Sequence, residues 1–210
     1  MSTRKGGAER CGCCGLHTHL CICATLPTLE LSTRIVIVQH VRELHKPTNT
    51  ARLARRMLLG SQIIHWPPQE GTFDASPLED PDIDYDVVFP RDDAVTLTPE
   101  IARSTDGREH CYVLLDGTWR QCSRMSRRVP RVRDLRCLAL PPGAPSIWGV
   151  RKQHDPRGLS TMEAVIRLLE TTEHVDAVAP LRHAFKTVAA RMMYMKGRLR
   201  TPEIPEDWPP

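Results

Sequence analysis

Cys111-Tyr112-Val113-Leu114-Leu115 runs directly into Asp116-Gly117-Thr118-Trp119 and on into Arg120-Gln121-Cys122-Ser123-Arg124-Met125-Ser126-Arg127-Arg128. The apolar run reads as a buried parallel strand, and the stretch from Trp119 onward as a helix. A carboxylate and an indole at the carboxyl end of such a strand stand where open α/β sheets place their ligands. Asp116 is positioned there to accept a proton or to orient a substrate, and Thr118 to cap the helix. Position alone equally allows a plainer assignment, with Asp116 and Thr118 both caps and Trp119 in the core.

The same pattern recurs on either side. Ile35-Val36-Ile37-Val38 reads as a buried strand ending at Gln39-His40. An amphipathic helix is expected from Thr48 to Leu59, stopped by Gly60. Further strands are expected at Ile63–Trp66, at Val87-Val88-Phe89, and at Leu135–Leu140, closed by Pro141-Pro142-Gly143. Leu159 to Leu169 begins a helix, with Ser160 and Glu163 in capping-box spacing, and a second long helix is expected from about Val178 to Arg198. Strands alternating with helices predict an α/β fold with a mainly parallel sheet flanked by helices. The acidic, proline-rich stretch 67–84 is expected to be a surface loop. The chain divides into a mobile tail (1–10), a cysteine module (11–27), a main domain (28–200) and a proline-rich tail (201–210).

With 210 residues, 40% of them apolar, the chain supports a real core, and no apolar run approaches the length of a membrane span. MSTRKGGAER lacks the apolar stretch of a secretory signal, so a soluble cytoplasmic protein is expected. A net charge of +4 permits a nucleic-acid partner without demanding one. Neither a phosphate-cradling G-x-x-x-x-G-K-[ST] loop nor a G-x-G-x-x-G turn is present, which disfavours ATP hydrolysis and the usual dinucleotide site.

Cysteine placement is informative. Cys11, Cys13, Cys14, Cys21 and Cys23 fall within thirteen residues, whereas Cys111, Cys122 and Cys137 are scattered through apolar elements and are expected to be buried small hydrophobes. In a reducing compartment the cluster reads as a metal site rather than a disulfide framework. The set Cys11, Cys14, Cys21 and Cys23 offers four thiolates to a structural Zn²⁺, and an all-sulfur shell leaves no open position for catalysis. Cys13, His17 and His19 are alternative ligands.

Arg120, Arg124, Arg127, Arg128, Arg131, Arg133 and Arg136 lie within seventeen residues and meet one acid, Asp134. Arg120, Arg124 and Arg127 share a helical face beside Trp119, a pattern suited to phosphate contacts with an aromatic ring to stack on a base. Arg42, Lys46, Asn49 and Arg52 are further candidates for RNA contact.

Four segments, in this order, resemble the DTW-domain proteins, which are tRNA-uridine aminocarboxypropyltransferases. They are the knuckle Cys11/Cys14/Cys21/Cys23, the segment His45-Lys46-Pro47-Thr48-Asn49-Thr50-Ala51-Arg52-Leu53, the signature Asp116-Gly117-Thr118-Trp119, and Leu159-Ser160-Thr161-Met162-Glu163-Ala164. The resemblance covers about residues 11–198. It implies likeness to the SPOUT superfamily, whose α/β domain ties a trefoil knot and binds S-adenosylmethionine in the knotted loops. Related rRNA aminocarboxypropyltransferases are similar at an Asp-x-Ser-Trp and at a Leu-Ser-Thr helix start. By that likeness Leu138, Leu140, Pro141, Leu159, Ser160, Thr161 and Ala164 line the cofactor site. Two departures stand out: Cys13 is an additional thiol, and Ile147-Trp148-Gly149-Val150-Arg151 replaces an expected Tyr-x-x-Arg.

The resemblance implies transfer of the 3-amino-3-carboxypropyl group from S-adenosylmethionine to N3 of a tRNA uridine, releasing 5′-methylthioadenosine. Asp116 is then the candidate base or orienting group, and Trp119 the residue that stacks on uracil or covers the sulfonium. The alternatives are a SPOUT-type RNA methyltransferase and a non-catalytic zinc-knuckle RNA-binding protein. The residues do not decide between monomer and dimer.

Overall fold

Arg34–His40 (β1), Gln62–Trp66 (β2), Ile83–Val88 (β3), Val95–Thr96 (β4), Glu109–Asp116 (β5) and Arg136–Ala139 (β6) pair side by side, always parallel, in the order β2-β1-β5-β3-β6-β4. The computed structural model describes residues 9–68, 70, 72–103, 108–151, 155 and 158–209. Most of the polar tail expected at 1–10 lies outside that set.

Strand side chains alternate between two cores, as a period of two requires. Ile35, Ile37, Tyr112, Leu114, Val88 and Leu138 face one, while Val36, Val38, Cys111, Val113, Val87 and Cys137 face the other. The first core is covered by Ala51–Met57 (α1), Thr161–Thr172 (α4) and Val175–Met195 (α5), and the second by Trp119–Arg128 (α3). Burial on both faces explains why the central strands read as unbroken apolar runs. Cys111, Cys122 and Cys137 are buried, and burial pushes the Cys111 thiol up to about 12, so these behave as small inert hydrophobes.

Several boundaries differ from expectation for local reasons. Two elements had no signal, the two-residue edge strand β4 and the single turn Pro99–Ala102 (α2). Helix α1 begins only at Ala51, because Thr48 to Thr50 form the turn that delivers Asn49 to the sheet's end. Leu58 is already extended, held in the bridge it makes with Leu29. Helix α5 stops at Met195 because Gly197, at φ +67, takes the left-handed conformation that terminates helices.

The cysteine segment packs onto the first core through Leu16, Leu20, Ile22 and Leu26. Arg191 Nη1 donates to the Leu20 carbonyl at 2.7 Å, and Arg52 Nη2 to the Pro47 carbonyl at 2.5 Å. Gly15, at φ +74, sits where a Cβ would lie 2.4 Å from the Pro47 carbonyl oxygen, so glycine is required at this contact. Among the described residues no helix is long and apolar enough to cross a membrane.

Candidate active site and metal centre

Strands β1 and β5 are neighbours, yet the chain leaves their carboxyl ends toward opposite faces, to α1 and to α3. A crevice opens at such a switch point, and ligands bind there. Gln39 and Asp116 face each other across it in register. Both belong to the strands' inward alternation, which explains why two polar side chains end up buried.

Asp116 is only 3% exposed, and its carboxylate is the hub of a network. Oδ2 accepts from Gln39 Nε2 at 2.7 Å and from Asn49 Nδ2 at 2.5 Å, while Oδ1 accepts from the Thr161 hydroxyl. Asn49 Oδ1 in turn accepts from Gln39 Nε2 and from the Ala51 N–H, fixing the orientation of both amides. One carboxylate thereby ties the ends of β1 and β5, the turn before α1 and the start of α4. Buried polar groups need such satisfaction, since an unpartnered one costs about 1–3 kcal/mol.

Above this hub lies a cavity of about 820 Å³, within the size range of small-molecule sites. Its walls come from the ends of β3 (Val88 to Pro90), β5 (Leu114 to Trp119) and β6 (Ala139 to Pro145), the turn 46–50, and the segment leading into α4. Glu163 organises that last wall. It closes a capping box with Ser160 and also accepts hydrogen bonds from the Ser146 hydroxyl and the Ile147 N–H, each at 2.7 Å. Arg167 donates to the Ala144 carbonyl at 2.5 Å and covers Gly143.

The rim is cationic on one side and aromatic on the other. Glu43, fully buried, pairs with Lys46 Nζ at 2.6 Å and Arg151 Nη2 at 2.9 Å, leaving a wall with one net positive charge. Opposite, Trp119 opens α3 at 36% exposure, its ring centroid 5.3 Å from that of Phe89. Thr118 caps α3 in a capping box with Gln121, which sets the indole's position. Such a site suits a ligand with an anionic end and a flat or cationic portion.

The cysteine segment forms a second centre. The Sγ atoms of Cys11, Cys14, Cys21 and Cys23 all lie within 4.8 Å of one another, with Cys11–Cys23 at 3.6 Å and Cys14–Cys21 at 3.8 Å. A tetrahedron of sulfurs around Zn²⁺ has edges of about 3.8 Å, so the four fit a metal ion. The Cys14 N–H holds the Cys11 thiol down at about 6, while burial pushes Cys14 and Cys23 up. A bound cation lets all four ionise together. Cys13, His17 and His19 fall outside this foursome.

Of the residues singled out in the sequence, Asp116, Trp119, Leu140, Pro141, Leu159, Ser160, Thr161, Ala164 and Lys46 line the cavity. Leu138 does not: it is fully buried in β6, facing the first core. Asn49 and Arg52 also differ from their expected place on an RNA-binding surface. Asn49 is buried against Asp116, and Arg52 donates to the carbonyls of Gly12, Lys46 and Pro47, strapping the cysteine segment to the turn. Arg42, Arg120, Arg124, Arg127 and Arg128 are exposed. The sequence reading missed Gln39, Glu43 and Arg151. Gln39 carried a signal, a polar side chain continuing the alternation of a fully buried run.

A family model for the DTW domain matches residues 8–193. No solved structure matches the chain. The match spans both centres, from the cysteine knuckle through the Asp116 hub to the last turns of α5, and the chain belongs to the DTW-domain family.

Proposed function

We propose that this protein is a tRNA-uridine aminocarboxypropyltransferase. It moves the 3-amino-3-carboxypropyl group of S-adenosylmethionine to N3 of a tRNA uridine and releases 5′-methylthioadenosine. The observation that carries the reading is the Asp116 carboxylate, fixed at the floor of a cavity at the sheet's switch point with Trp119 at its rim. Membership of the DTW family supports it. S-adenosylmethionine supplies an electrophilic carbon next to a sulfonium, and alignment decides which of three such carbons reacts.

The residues divide the work by chemistry. Leu140, Pro141, Leu159 and Ala164 give an apolar wall for the adenosine. Lys46 and Arg151 match the carboxylate of the transferred group, and the amino terminus of α4 favours negative charge in the same region. Trp119, exposed at the rim, stacks on the incoming uracil. Exposed Arg120, Arg124, Arg127 and Arg128 on α3, together with exposed Arg42, supply the phosphate-binding surface for tRNA.

The four-cysteine centre takes a structural Zn²⁺ in this reading, and reduced thiolates suit a cytoplasmic location. The six-stranded parallel sheet is the frame for the SPOUT-type trefoil knot that belongs to the same reading.

The test is incubation of the protein with unmodified tRNA and S-adenosylmethionine labelled with ¹³C in the aminocarboxypropyl chain, followed by nucleoside mass spectrometry. Labelled uridine is expected. A methylated nucleoside without label identifies a methyltransferase instead. Unmodified tRNA that still binds identifies a non-catalytic RNA-binding protein.

A further inference from the structure

Lone pairs on the cavity floor single out one oxygen. Asp116 Oδ2 is occupied by two amides and Oδ1 by the Thr161 hydroxyl, and the carboxylate is almost wholly buried. The other hydroxyls of the described wall each accept a hydrogen bond from the protein. Thr48 accepts from Arg151 Nε at 3.0 Å, Thr50 from the Met162 N–H at 3.2 Å, Thr118 from the Gln121 N–H at 3.4 Å, and Ser160 from the Glu163 N–H at 3.3 Å. Thr161 differs in kind. It gives its proton to Asp116, and no donor among the described residues reaches its lone pairs, although it lines the cavity.

Uridine N3–H is a weak acid whose proton has to leave as the new bond forms. Resting on the transfer reading above, we infer that Thr161 and Asp116 act in series as a proton relay. Thr161 Oγ1 accepts the N3 proton of the bound uridine while passing its own proton to Asp116 Oδ1. The N3–H electron pair forms the bond to the carbon beside sulfur. The carbon–sulfur pair returns to sulfur, converting the sulfonium to the neutral thioether of 5′-methylthioadenosine. Asp116 finishes as the neutral acid and loses its proton to water when the products leave. Gln39 and Asn49 are positioning residues in this scheme, since their two N–H donors hold Oδ2 and leave Oδ1 turned to Thr161.

The charged and titratable groups around this pair are Glu43, Lys46, Arg151, Cys122, Asp155 and Arg167. Glu43 is bound by two cations, and burial holds the Cys122 thiol protonated. Asp155 is a further carboxylate of the cavity wall, and the experiment includes it as a competing base.

The experiment compares wild-type protein with Thr161→Val, Thr161→Ser and Asp155→Asn. It measures kcat on tRNA from pH 6 to pH 9 (about the range proteins tolerate) and S-adenosylmethionine affinity by calorimetry. General-base assistance contributes about 10²–10⁴-fold, so Thr161→Val is expected to lose at least about 10²-fold in kcat at neutral pH. Its remaining rate should climb about tenfold per pH unit, because only pre-ionised uridine then reacts, whereas the wild-type rate should be nearly flat. Thr161→Ser should restore the flat profile. A purely structural role for Thr161 would lower the rate without changing that slope. The relay is overturned if Thr161→Val keeps a wild-type profile, or if Asp155→Asn is the variant that acquires the steep one. Absence of any modified nucleoside from the wild-type protein refutes the transferase reading itself, a separate result.

Discussion

At the scale of single residues, burial and exposure separate two kinds of importance. Asn49 donates to the Asp116 carboxylate and accepts from Gln39, all out of solvent. Asn49→Ala leaves a buried acceptor short of a donor and is expected to cost about 1–3 kcal/mol in urea unfolding, with a loss of transfer activity. Trp119 is the opposite case: exposed at the rim, its replacement by Ala should change stability by no more than about 1 kcal/mol yet abolish transfer to tRNA. Measuring unfolding and turnover on the same preparations separates the two. Asp116 and Trp119 were legible as a strand-end pair because an apolar run led straight to them. Arg151 was not, because its role depends on a loop's return path, and Gln39 showed only as a polar residue ending a buried run, its partner being set by strand register.

Elements carry predictions of their own. Helix α3 presents Arg120 and Arg124 to solvent, just after the cavity-lining Trp119. Arg120→Glu with Arg124→Glu should weaken tRNA binding several-fold and flatten its dependence on salt by about two counterions, read by fluorescence anisotropy across a salt series. The cysteine knuckle should release one zinc per chain on chelation, detected with a metal-binding dye. Cys21→Ser should lower the melting temperature, because Leu16, Leu20 and Ile22 share the main core and are loosened with it. Long elements with clear periods were visible in the sequence. The short ones, β4 and α2, were not, since two and four residues hold no period to detect.

The sheet as a whole sets the behaviour with pH. Asp86 lies on β3 two residues before Val88 of the cavity wall, between Arg136 at 2.5 Å and His110 at 2.9 Å. Burial pushes its carboxyl up, but the hydrogen bonds from Arg136 and His110 outweigh that and hold it below the ordinary range. A depressed carboxylate stabilises the fold above its unfolded value of about 3.9, and that contribution disappears as pH falls through the lower folded value. Acid unfolding followed by circular dichroism should therefore begin at higher pH in Asp86→Asn, which lacks the ion pairs from the outset. Five of the six strands and their mainly parallel direction were readable from apolar runs separated by helices, β4 being the exception. Strand order was not, because pairing between distant segments leaves no trace in either one. That order has a consequence for synthesis on the ribosome. β5 lies between β1 and β3, so a nascent chain halted before residue 109 leaves β1 with one unpaired apolar edge and β3 with neither of its neighbours, β5 and β6. Asp116, the residue at the centre of the chemistry, ends the strand that joins the two halves of the sheet, so the chain stays open to aggregation until that residue has emerged.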